Sequence, residues 1–416
     1  MRALWWGLVL LCSYSLAAAQ TAPGLRPEIA VLFSAAQDAL KAKQAELAID
    51  KLNAASALPP LPGKETEFLH RLRVAAGMDA GKPAIAMAAL EALVALPEVS
   101  ASEKPGLIES VISLAQKQKD HQRVIDAAKL FGSIPAPPTR GTLLALAQAH
   151  YFLKRYDLAI AQINALLPSS APVPAAATGM TAGLQSPPEE YLLRLLADSH
   201  QQMKNRVGYL QSLALLLQYH PSQAYWSDYL ARHISQLEAN SPLALDWYRL
   251  VRAAQCLQEA DDYFEYVQHA LKAGFPLEAQ ALLELGLKSG LLETASAKQT
   301  AQALGPQIER RVSEDKTSSE LLEKQWPNAA NGNAAAQLAD LHLASGKWAQ
   351  AHAVYRMALE KGGLRREELT RMRLGIALAQ DGQKEAALAA LAWSGWTSSA
   401  RPLAQAWTLW ANKVLK

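Results

Sequence analysis

Apolar residues recur at helical spacing along almost the whole chain, in pairs of short segments separated by a polar break. Residues 332–361 show this most clearly. Leu338, Ala339, Leu341 and His342 fall on one helical face, and after Ser345-Gly346-Lys347 so do Ala351, Tyr355, Ala358 and Leu359. Ala339 and Ala351 are twelve residues apart. Small residues on facing helices let the two axes approach closely. Trp348 opens the second segment and covers the end of the pair, and Gly362-Gly363 stop it, since glycine takes a left-handed cap cheaply. One such hairpin cannot bury its apolar face alone, so the pattern predicts stacked neighbours.

The twelve-residue register returns at Ala36/Ala48, Ala147/Ala159 and Gly375/Ala387. Helix pairs with weaker small-residue registers are predicted over 65–97 and 102–133. Tyr209 stands where a small residue would follow Ala197, so that unit must pack differently. Ser222 opens a helix carrying Tyr225, Trp226 and Tyr229, Ser241-Pro242 starts the next, and 258–273 with 276–289 form a further pair. Residues 293–325 are helical in pattern but not repeat-like, which suits a solvated connection or an irregular hairpin. A last helix, 400–414, closes the apolar end of the stack. No run of alternating β-branched residues exceeds four, so the expected fold is all-α: a right-handed α-solenoid of stacked antiparallel hairpins.

Residues 169–186, SSAPVPAAATGMTAGLQS, carry no charge and are rich in Pro, Ala, Ser and Gly. They read as a flexible loop on one solenoid or a linker between an N-terminal part, 20–168, and a C-terminal part, 187–416. Ser186 begins a capping-box pattern that restarts the helices.

The N-terminus changes the expected location. Arg2 is the only charge before an apolar run from Leu4 to Cys12, and Ala17-Ala18-Ala19 offers a small-x-small cleavage site before Gln20. Residues 1–19 thus read as a signal peptide, with an uncleaved anchor as the alternative. No later segment is a membrane span, so the expected location is the periplasm or outside the cell. After cleavage one cysteine remains, Cys256, which excludes an intramolecular disulfide and a cysteine zinc site and suits a small buried hydrophobe. With 41 basic against 38 acidic residues and no basic run with interleaved aromatics, nucleic-acid binding is not expected.

Half of the 416 residues are hydrophobic, enough for an extended core, but catalytic patterns are missing. The nine histidines include no His-Glu-x-x-His. His342 sits at a packing position, and His352 lies on the other helix of its hairpin. Gly77 to Pro83 has only the outline of a phosphate loop, with Pro83 where Ser or Thr is needed. Glu189-Glu190, Asp261-Asp262 and Glu367-Glu368 lie near helix starts, where the dipole favours negative charge. No catalytic, metal or cofactor residue is therefore assigned, and a hydrolase built on a helical superhelix has no residues to name. Binding is the function that fits. First helices of stacked pairs line the concave face. In the clearest repeats that places Leu144, Gln148, Tyr151 and Phe152, then Asn333, Asp340 and Leu343, then Met372, Ile376 and Gln380 in a mildly apolar groove, unless they simply pack against neighbouring turns. Trp393, Trp396, Trp407 and Trp410 form a second candidate, a C-terminal aromatic docking patch or a seal over the solenoid end.

Leu146-Ala147…Ala159…Ile163, Leu338-Ala339…Ala351…Tyr355…Ala358 and Leu374-Gly375…Ala387…Leu391 resemble the tetratricopeptide repeat. YHPSQAYWSDYLAR, EYVQHALKAGFPLEAQALLELGLKSGLL and the segment 332–410 resemble a group of exported bacterial tetratricopeptide proteins found alongside TonB–ExbB–ExbD components. That resemblance implies a periplasmic scaffold without chemistry of its own, whose partner is a protein or extended peptide, such as a TonB–ExbB–ExbD component or an outer-membrane protein. The groove lacks the Lys/Asn constellation that clamps a peptide carboxylate in some relatives. A scaffold for polysaccharide export or outer-membrane assembly is the other expectation on the same fold.

Overall fold

The structure is a computed structural model that describes residues 25–167, 187–238 and 240–414. The predicted signal peptide 1–19, the 169–186 segment and the Ser186 cap lie outside the described residues. Among the described residues every regular element is helical, with twenty α-helices and two short 3-10 turns. They divide into two compact units: residues up to 168 with Asp198–Lys204, and the remainder.

Unit 1 is a stack of four antiparallel hairpins. These are α1 (Pro27–Lys41) with α2 (Ala45–Ser56), α3 (Gly63–Asp79) with α4 (Pro83–Ala95), α5 (Lys104–Lys117) with α6 (His121–Lys129), and α7 (Arg140–Phe152) with α8 (Tyr156–Leu166). Each helix packs on its sequence neighbour, so the stack is held by nearest-neighbour contacts. Ala36, Ala48, Ala147 and Ala159 are fully buried, as the register requires.

The inner turns share one backbone design. The residue after each first helix lies in the left-handed region: Lys43, Gly81, Lys119 and Lys154 in unit 1, and Gln255, Gly274, Gly346 and Gly382 in unit 2, all with φ between 57° and 83°. The next N–H then donates to a carbonyl five residues back, as from Gln44 to Ala39 at 2.8 Å and from Gln383 to Leu378 at 2.9 Å. This is a Schellman cap, which satisfies carbonyls a helix end leaves open. Counting from that left-handed residue recovers the register everywhere. The facing positions are Val74/Ala86 in the second hairpin and Ile112/Val124 in the third, all buried. These registers looked weak in the sequence because β-branched residues stand in the small positions.

Unit 2 begins with α9 (Glu190–Gln202, whose last turns belong to unit 1), α10 (Arg206–Tyr219), α11 (Gln223–Ile234) and α12 (Ala244–Ala253). Next come α13 (Ala260–Lys272), α14 (Pro276–Lys288) and α15 (Ala295–Gln325). It ends with α16 (Asn333–Ala344), α17 (Trp348–Lys361), α18 (Glu367–Gln380), α19 (Lys384–Leu391) and α20 (Arg401–Val414). The predicted connection at 293–325 is corrected: it is one helix, α15, running through Pro306. Its first half buries Ala297, Ala301 and Ile308 in the core it shares with α13 and α14. That anchorage carries the helix across a residue lacking an N–H.

Unit 2 also closes on itself. The last helix, α20, packs not only on α19 but on α18, α12 and α10. Trp407 Nε1 donates to the Asp246 carbonyl at 3.3 Å, and Trp410 Nε1 to the Ala253 carbonyl at 3.1 Å. The short helix α12 is buried continuously from Ala244 to Val251. A helix covered on all sides is an axis of packing, not a surface element.

Candidate functional site

The unusual chemistry of unit 2 lies on α12. Its buried face carries Asp246 and Arg249, charges that a hydrophobic interior admits only when paired. Arg249 makes a two-point bond with Glu278 of α14, at 2.9 and 2.6 Å, and a third bond to Asp246 at 2.6 Å. The second Asp246 oxygen accepts from Arg373 Nε of α18 at 3.2 Å, and Arg373 Nη1 reaches Asp340 of α16 at 2.7 Å. Tyr266 donates to Glu278 at 2.7 Å, and Tyr355 donates to Asp340. The Phe275 ring lies 5.4 Å from one guanidinium carbon and 5.5 Å from the other.

Asp246, Glu278, Arg249 and Arg373 are all buried and cancel in charge, which leaves Asp340 as the surplus carboxylate. Burial opposes the charge on Arg249, but Glu278 and Asp246 outweigh it and hold its pKa well above the ordinary arginine value. Arg373 is raised in the same way, burial opposing and Asp246 and Asp340 prevailing. Burial, then the Glu278 charge, pushes the Tyr266 hydroxyl well up. Arg249, Arg373 and Tyr266 are thereby held in their protonated forms. Asp340 is engaged by both Arg373 and Tyr355.

Above the network opens a cleft of about 460 Å³. Asp340 and Arg373 form its floor, and His269, Lys272, Gln337 and Arg366 line its walls. Lys272 bonds the Asn240 side chain at 2.8 Å. Arg366 is exposed and has no acidic partner among the described residues. His269 stacks on Tyr248 at 4.7 Å, and burial, then Lys272, lowers its pKa, which favours the neutral ring. The cleft thus presents two surface cations, a neutral imidazole and amide groups over a rigid floor. It is suited to a polar or acidic segment of a partner. Among the described residues no group of three His, Cys, Asp or Glu side chains is placed to hold a metal ion.

The predicted groove residues separate. In unit 1, Leu144, Gln148 and Tyr151 are half-buried and Phe152 is exposed, stacked on His121 at 4.6 Å. Gln148 accepts from Gln116 at 3.2 Å. In unit 2 the groove reading is corrected for Leu343, Met372 and Ile376, which are packed in the interior. Nine of the fourteen residues of α18 are buried, so its inner face is filled. Asn333 is a clip between hairpins: it donates to the Gly363 carbonyl at 3.1 Å and accepts from the Arg365 N–H at 2.9 Å. Gln380 is half-buried. Only Asp340 belongs to the cleft. Of the two readings of the aromatic cluster the docking patch is corrected, and the packing agrees with a seal: Trp396, Trp407 and Trp410 are buried, and Trp393 alone is half-buried, beneath Arg371 at 5.0 Å. His352 is held by Asp381 at 3.0 Å and by Gln383. Cys256 is buried, in the turn after α12.

No family model matches the chain, and no curated protein does. A solved complex of Naa15 and Naa10 bound to HypK-THB aligns at 14% identity, over 87% of this chain and 68% of that one, with a TM-score of 0.28. The APC/C hetero-tetramer of Cut9 and Hcn1 aligns at 15% identity, over 90% of this chain and 88% of that one, with a TM-score of 0.23. Both scores are low, and the all-α hairpin fold rests on the helices described above.

Proposed function

We propose that the protein is an exported, non-enzymatic interaction scaffold of the bacterial envelope that holds a protein partner at the unit 2 cleft. The observation that carries the reading is the cleft itself, a concave polar site lined by Lys272 and Arg366 over the immobile Asp340–Arg373 floor. What supports export is Arg2, the apolar run Leu4–Cys12 and the small-residue site at Ala17-Ala18-Ala19. The resemblance of the C-terminal segments to TonB-associated tetratricopeptide proteins makes a TonB, ExbB or ExbD component the partner to test first. A photo-crosslinking residue at exposed Gln337, in cells, should give a discrete adduct with one of these, and Arg366→Glu should abolish it. An adduct with a polysaccharide-export or outer-membrane assembly protein would move the scaffold to that machinery. Loss of a measurable turnover in Asp340→Asn would overturn the non-enzymatic reading. N-terminal sequencing of the mature chain should begin at Gln20; an intact Met1 in the cytoplasm would overturn export.

A further inference from the structure

The inner turns of unit 1 form one edge of its stack. Lys82, beside the second turn, reaches Glu46 beside the first at 2.5 Å, and Arg155, beside the fourth, reaches Gln122 beside the third at 3.0 Å. Lys43, Lys119 and Lys154 occupy the left-handed position there, and so does Lys204 at the end of the α9 turns that belong to unit 1. All four are exposed. A lysine in this conformation is disfavoured relative to glycine, because its Cβ crowds the following carbonyl. At the same position unit 2 uses Gly274, Gly346 and Gly382 with Gln255 as its exception, and unit 1 uses glycine once, at Gly81. Unit 1 therefore keeps a positive charge where the backbone asks for none.

The charges on that edge are largely unneutralised. Lys41 and Lys82 take up Asp38 and Glu46, and Asp120 caps α6 by accepting from the Arg123 N–H at 3.0 Å. Asp79 and Asp157 remain, against Lys43, Lys117, Lys119, Lys154 and Lys204, none of which has an acidic partner among the described residues. Apolar side chains share the edge. Six large hydrophobics are exposed in unit 1: Val31, Leu47, Met78, Phe152, Leu158 and Met203. All but Val31 lie within four residues of a left-handed turn residue. Lysines interleaved with exposed Leu, Met and Phe are what an interfacial membrane surface requires: apolar groups enter the acyl boundary while ammonium groups meet lipid phosphates. An acidic protein surface would use the lysines but would leave the apolar residues unexplained.

We infer that the inner-turn edge of unit 1 is a peripheral membrane-binding surface for anionic phospholipid headgroups. The test is flotation of the full chain with vesicles of phosphatidylglycerol and phosphatidylcholine, against phosphatidylcholine alone, at low and high salt. Residues 1–24 are common to every arm, so the readout is the dependence on anionic lipid. Wild-type protein should bind the anionic vesicles and be released by salt. Each lysine near such a surface contributes roughly five-fold in partition, so replacing Lys43, Lys119, Lys154 and Lys204 together with glycine should weaken binding roughly 600-fold. That variant should melt no lower than wild type, since glycine suits the turns, which separates lost binding from lost folding. The quadruple Lys→Arg variant should bind like wild type. A charge-matched control, Lys64→Gln, Lys288→Gln, Lys298→Gln and Lys324→Gln, should retain binding. Binding that does not depend on anionic lipid, an unaffected glycine variant or an equal loss in the control would each overturn the inference.

Discussion

The same hairpin is used in two ways. In unit 1 the first-helix face of α7 keeps Leu144, Gln148 and Tyr151 half-buried and Phe152 exposed. In unit 2 the equivalent face of α18 is sealed, and Arg373 on it is bonded to a residue 127 positions earlier. The register is not what differs, since Ala147/Ala159 and Gly375/Ala387 are both buried pairs twelve residues apart. What differs is a covering element. Unit 2 folds α20 back over α12, and no corresponding helix covers the stack of unit 1 among the described residues. A hairpin's small-residue pattern therefore specifies how its two helices meet and leaves open whether its inner face is a surface or a core.

The largest test of this contrast removes the centre of unit 2. Asp246→Ala takes one partner from Arg249 and one from Arg373 and leaves buried positive charge uncompensated. A loss of about 3–5 kcal/mol is expected. Hydrogen exchange should accelerate in α12, α18 and α20 and hold steady in α1–α8; uniform acceleration would break the division. Ala351→Leu overpacks a unit 2 hairpin and should cost about 1–3 kcal/mol, and Ala48→Leu should cost the same in unit 1 because the register is common. Urea midpoints for the pair would show whether closure makes unit 2 less forgiving.

A pH experiment isolates unit 2 further. His233 stacks on Trp247 of α12 at 4.8 Å, and burial, then Arg206, lowers its pKa to about 4. The unfolded chain takes up this proton below about pH 6.5 and the folded chain only near 4, so stability falls as pH drops through that window. Near pH 5 the histidine should cost about 2 kcal/mol, and His233→Phe should flatten that part of the stability–pH curve. The smallest expected effect concerns the turns. Lys119→Gly should stabilise unit 1 by about 1 kcal/mol, and Gly382→Lys should destabilise unit 2 by a similar amount. Equal melting temperatures would show that the left-handed position is not strained.

The hairpins were legible where small residues mark both facing positions, as at Ala36/Ala48 and Ala339/Ala351. They were faint at Val74/Ala86 and Ile112/Val124, where volume replaces the small residue and only the left-handed turn keeps the count. Residues 293–325 read as a solvated connection or an irregular hairpin, yet the burial of Ala301 and Ile308 holds α15 continuous through Pro306. The cleft was almost invisible. Periodicity places Asp340 on an inner face, but singles out none of Asp246, Arg249, Glu278 and Arg373. Apart from the i,i+3 pair Asp246–Arg249, their bonds span 29 to 127 residues, and no local pattern encodes a partner at that distance. Of the two readings of the tryptophans, burial removes the docking patch and agrees with the seal: the indole N–H groups of Trp407 and Trp410 find the carbonyls of α12.

The bonds from Trp407 and Trp410 to α12 close loops of 161 and 157 residues. An open array can fold progressively as it emerges from a ribosome or a translocation channel, each repeat settling on the one before. Unit 2 cannot finish that way. Asp246 and Arg249 are made early, and the α20 side of their enclosure comes from the end of the chain. The contact order of this half is therefore high, and its folding should be slow relative to unit 1. Until α20 arrives, α12 carries ionised groups and bare apolar surface together, so a nascent chain is a natural client for a holdase. A stop codon before Arg401 would make that waiting state permanent.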